Sequence, residues 1–126
     1  MTLTLTLAAL LVFLTGLAHS YLGERYLLRR LFKRDKLPAI LGSTAFTAGT
    51  LRFVWHLLTV VWWGLAALLL VLAAGRPLDR TLLLQALGGI AAVSALFPLY
   101  FTRGRHLSWL AFLAIAALLW QSAGLR

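Results

Sequence analysis

Three histidines, one glutamate and one arginine are the residues of this chain whose types and spacing can do chemistry. His56 is the only ionisable group inside the run from Phe53 to Ala74, which is apolar and long enough to cross a bilayer. A charged side chain within lipid costs about 2.5–3.5 kcal/mol on insertion scales, so such a residue is a functional candidate by default. His19 lies in an earlier apolar run. Each of these two histidines falls about 10 Å from the middle of its run at 1.5 Å per helical residue. Consecutive antiparallel spans would bring both rings to one depth, face to face. Arg52 and Thr59 share the face of His56 at i−4 and i+3, and Gly16 and Gly23 leave a small face around His19. Glu24 has Leu27 and Leu28 at i+3 and i+4, so it lacks an intrahelical ion partner. Its options are Arg52 across an interface, a histidine, or water. His106, beside Arg103 and Arg105, reaches the same face about 5–7 Å further out.

Imidazole is the commonest metal ligand, so a haem or a transition metal at His19, His56 and His106 is the first functional expectation. Two facing rings would clamp a haem iron axially, with room for the macrocycle at Gly16 or Gly23 and Arg52 facing a propionate. A three-histidine set with Glu24 would instead suit zinc or non-haem iron. A second expectation uses Arg52, Glu24, Thr59 and the histidines for proton- or anion-coupled transport. In a third, the imidazoles are neutral and satisfied by neighbouring hydroxyls or carbonyls, in a structural subunit with no ligand. The chain has no HxxxH or HExxH spacing, no phosphate-cradling glycine loop and no serine with a base at a telling spacing. An enzyme acting on lipids is therefore the least favoured expectation. The absence of cysteine removes disulfides, CxxC redox chemistry and thiolate metal sites together.

The elements that must position these groups are membrane helices. The chain has 126 residues, 62% of them hydrophobic, which exceeds the ~45–50% usual for soluble proteins. Its hydropathy pattern predicts an all-α, integral membrane four-helix transmembrane bundle, a single domain with spans at about 2–22, 52–74, 81–101 and 107–123. The first run lacks a positive n-region and a small-residue cleavage site, and is read as a retained span. Between Gly23 and Lys36, the basic residues Arg25, Arg29, Arg30, Lys33, Arg34 and Lys36 alternate with apolar ones. That pattern predicts an amphipathic cytoplasmic helix lying on the headgroups of anionic lipid in the bilayer. Leu37-Pro38 breaks it, and Ser43 or Thr44 starts the helix that becomes the second span. The short connection from Gly75 to Arg80 makes the second and third spans antiparallel neighbours. Gly88 with Ala92 predicts a close backbone approach, Pro98 a kink, and Trp109 and Trp120 interfacial anchors at either end of the last span.

The net charge of +9 does not point to nucleic acid, because the cations sit at the ends of apolar runs rather than over a folded surface. Arg25, Arg29, Arg30, Lys33, Arg34, Lys36, Arg52, Arg103 and Arg105 fall on one face, against Arg76, Arg80 and Arg126 on the other. That imbalance predicts cytoplasmic basic loops and both termini outside, in a bacterial cytoplasmic (inner) membrane. So small a bundle is also expected to gain helix contacts as a homo-oligomer or within a larger membrane complex.

Overall fold

The computed structural model describes residues 2–34 and 36–124. Within them the chain is all-helical: α1 Thr2–Phe32, α2 Thr44–Ala73, α3 Arg80–Phe101 and α4 Ser108–Ser122. The first three are long and apolar enough to cross a membrane. With 15 residues, α4 extends only ~22 Å, less than a crossing requires.

The basic segment after the first span is not a separate helix. It continues α1 through a π-helical turn, Gly23–Leu28, into Arg29–Phe32. No proline or loop signal interrupts this stretch, so the hydrogen-bond ladder runs on with one wider turn. Arg126, which belongs to the charge pattern above, lies outside the described residues. The starts of α2 and α3 follow from capping. Ser43, extended at φ −143°, accepts from the Phe46 N–H at 3.1 Å, and Asp79 accepts from the Leu82 N–H at 2.8 Å. Gly75, at φ +70°, takes the left-handed conformation that ends α2.

Each helix packs on the next in sequence, and no comparable seam joins α4 to α1. The bundle is therefore open. Arg105 donates to the Leu41 carbonyl at one end, and Arg80 to the Ser122 carbonyl at the other. The two basic loops thus share an end, opposite Arg76 and Arg80.

The interior is built from small residues. Ala9, Ala66, Ala73, Ala91, Ala95 and Ala116 are buried, while Leu3, Leu11 and Leu118 are 71%, 66% and 62% exposed. Most large apolar groups point outward, while Leu28, Phe46 and Phe53, all toward the basic end, are buried. Helix backbones approach most closely at Gly49, where a Cβ would overlap the Phe101 carbonyl of α3. The small-residue pair at Gly88 works differently from its sequence reading: the space there holds the Trp120 indole, not a neighbouring backbone. Trp120 accordingly turns inward and donates to the Gln85 carbonyl at 3.2 Å. Pro98 is fully buried inside α3, and its carbonyl accepts from the Thr102 hydroxyl at 2.6 Å.

Candidate functional site

The seam between α1 and α2 has a regular repeat. Ala9, Gly16 and Gly23 on α1, seven residues apart, are buried, as are Thr59, Ala66 and Ala73 on α2. Seven residues are nearly two turns, so each set lies along one stripe. The π turn begins at Gly23, where the stripe reaches the basic end, and it keeps both Glu24 and Leu28 on the inner side. Single π turns inside α-helices are frequent at functional sites.

At this turn the two helices exchange a continuous set of polar contacts. Arg52 grips Glu24 with two nitrogens, Nε at 3.0 Å from Oε2 and Nη2 at 2.9 Å from Oε1. A forked guanidinium–carboxylate pair of this kind is strong and directional. Glu24 Oε2 also lies 3.3 Å from Nε2 of His56, and the exposed Arg29 reaches Oε1 at 3.4 Å. On the other side of the His56 ring, Nδ1 is 2.8 Å from the Ser20 hydroxyl. Ser20 Oγ is in turn 2.6 Å from Thr59 Oγ1, and Thr59 donates to the Gly16 carbonyl at 3.0 Å. Arg52, Glu24, His56, Ser20 and Thr59 therefore form one chain of hydrogen bonds running inward along the seam. His56 is its centre, with a side chain 15% exposed.

His19 stands next to this chain without joining it. Its ring stacks on the Trp55 indole at 4.4 Å, and its Nε2–H donates to the Trp55 carbonyl at 3.1 Å. Trp55 returns the contact from Nε1 to the His19 carbonyl at 3.0 Å. Gly23 makes this possible, since a Cβ there would overlap the indole. Each of the two deep histidines is thus held by its own partners. Both nitrogens of His56 and one of His19 are engaged by protein groups. The room expected for a macrocycle at Gly16 and Gly23 holds Trp63 and Trp55.

His106 is elsewhere. Its ring packs between Phe46 and Phe53 and its Nδ1 meets Ser108 Oγ at 2.9 Å. Among the described residues no group of three or more His, Cys, Asp or Glu side chains could hold a metal ion. Arg25, Arg29, Arg30, Lys33, Arg34 and Lys36 are all exposed around the basic end.

Two members of the site escaped the sequence reading, Ser20 and Trp55. A signal for Ser20 was present: it sits at i+4 from Gly16 and i−4 from Glu24, so all three share a face. No protein-family model, curated protein or solved structure matches the chain. What the site does must be read from its chemistry.

Proposed function

We propose that this chain is a multi-pass membrane protein in which His56, Glu24, Arg52, Ser20 and Thr59 bind and pass a proton, as a component of proton-coupled transport. Membrane residence is supported by helix length and by the inverted distribution of side-chain size. Small residues inside and large apolar ones outside suit a solvent of lipid, where association depends on close packing rather than on water exclusion. The clustered cations of the two basic loops favour placing that end in the cytoplasm of a bacterial cell, with the termini opposite.

The observation that carries the proton reading is a count of donors. Four contacts run from Glu24 to the Gly16 carbonyl, and each needs one hydrogen. Ser20 and Thr59 contribute one each, so all four are occupied only when His56 carries hydrogens on both ring nitrogens. With the Nδ1 hydrogen lost, Ser20 donates to the ring, Thr59 turns to Ser20, and the Gly16 carbonyl loses its donor. Proton occupancy of His56 is thereby tied to the contact between α1 and α2. The ion pair with Arg52 keeps the carboxylate oriented toward the ring. Beyond Gly16 the seam is apolar, lined by Ala9, Phe13, Trp63 and Ala66. A relay that stops part-way suits a carrier, which opens its site to one side at a time, rather than an open pore.

Reconstitution into liposomes loaded with a pH-sensitive dye supplies the test. Under an imposed pH gradient, wild-type vesicles should move protons faster than protein-free ones, and His56→Ala should remove the difference. Equal flux in wild type and His56→Ala overturns the proposal and leaves the cluster as a lock between helices.

A further inference from the structure

Beside the His56 chain the structure has an open cleft of about 400 Å³ at the edge of the α1–α2 seam, lined among others by Ser20, Glu24, Arg25, Arg29 and His56. Its charge is unbalanced. Arg52 already neutralises Glu24 from the α2 side, and Arg29 touches that carboxylate only at 3.4 Å with a side chain that is 66% exposed. Among the described residues Arg25 meets no carboxylate. It donates to the Tyr21 hydroxyl at 2.6 Å and lies over the Tyr26 ring. The cleft is therefore a cationic cup with two guanidinium groups at its rim.

The cup continues into apolar surface. It shares Leu17 and Tyr21 with an apolar groove that continues along α1 past Leu14 and Ala18. From Arg25 to Leu14 is eleven residues of helix, or ~16 Å. Half of a ~30 Å hydrocarbon core is ~15 Å, the depth of one leaflet. A cationic cup continuous with an apolar groove of that length matches an amphiphile with an anionic head and a leaflet-long tail. We infer that this face of α1 holds one phosphate-headed lipid, with its phosphate between Arg25 and Arg29 and an acyl chain along Leu14, Leu17 and Ala18. Guanidinium groups are suited to phosphate because their forked donors engage two oxygens at once. The inference rests on the membrane reading above but not on proton movement. It goes beyond general attraction of basic residues to an anionic surface, because it assigns one site, two arginines and a tail path.

Native mass spectrometry of the chain purified in mild detergent tests it, with phosphatidylglycerol or diacylglycerol of the same acyl chains added. The expected result is one phosphatidylglycerol per chain, with diacylglycerol retained at least tenfold less. The double variant Arg25→Gln/Arg29→Gln should lose at least tenfold in lipid occupancy. Lys33→Gln/Arg34→Gln, which removes the same charge one turn away, should keep it. Ala18→Trp, which fills the groove and leaves both arginines, should also lose the lipid. Equal loss in the two double variants, retention in Ala18→Trp, equal binding of diacylglycerol, or complete displacement by millimolar inorganic phosphate overturns the site. Alkaline carbonate treatment of cell membranes separates the two failures. A chain that is washed off contradicts the membrane reading itself, whereas one that stays embedded yet retains no lipid contradicts this site alone.

Discussion

The seam between α1 and α2 and the seam between α3 and α4 are fastened by the same device. In each, a glycine on one helix accommodates a tryptophan from the other, and the indole N–H donates to a carbonyl three or four residues before that glycine. Trp55 does this at Gly23 and reaches the His19 carbonyl, Trp63 does it at Gly16 and reaches Phe13, and Trp120 does it at Gly88 and reaches Gln85. Besides its indole the α3–α4 seam has the Arg80 contact to the Ser122 carbonyl at its end, and among the described residues no ion pair crosses it. Charged and hydroxyl groups at the α1–α2 seam are thus additional to what joins two of these helices. Polar groups are expensive in an apolar setting, and a seam that already has its indole fasteners does not require them for packing.

Substitutions can break or sharpen that comparison. The largest effect is expected from Gly23→Ala and Gly88→Ala, which displace an indole from each seam. Both should lower stability in detergent by about 2–3 kcal/mol, the usual cost of overpacking, as read by thermal melting of the helical signal. A loss in only one of them means that the two fasteners are not equivalent. Glu24→Gln comes next. It leaves Arg52 without its carboxylate in a setting where the two side chains are 31% and 22% exposed. The expected cost is about 1–2 kcal/mol, between the values for buried and surface pairs, and no change in melting would mean that solvent already screens the pair. Thr59→Val keeps the shape and removes one hydroxyl, for a loss of about 1 kcal/mol. It should nevertheless reduce proton flux as strongly as His56→Ala, since it cuts the chain between Ser20 and the Gly16 carbonyl. Flux that follows stability alone in this variant would merge the two seams into one class. Arg29→Gln should be the mildest, within about 0.5 kcal/mol, because an exposed arginine pair adds little.

Local signals in the sequence carried most of the helical architecture. Ser43 and Asp79 cap as their types suggest, and apolar runs of the right length became α1, α2 and α3. The π turn left no such mark, because GERYLL has ordinary helix formers and one glycine, and the wider winding depends on what α2 presents to it. Glu24 illustrates the same limit at the site. Arg52, a histidine and water were all open to it from spacing alone, and the structure engages the first two together. The partner of His19 was illegible for a related reason. Stacking on Trp55 depends on the rotation of two helices about their axes, which residue spacing does not encode.

The length of α4 has a consequence for whatever surrounds the protein. In a bilayer its ~22 Å falls short of a ~30 Å hydrocarbon core by roughly 8 Å, while α1 beside α2 exceeds it. Lipids bordering α4 would then have to compress and those bordering α1 would not. Embedded in a bilayer, the molecule would therefore impose a thickness gradient on its surroundings, thin beside α4 and thick at the helix that carries the arginines.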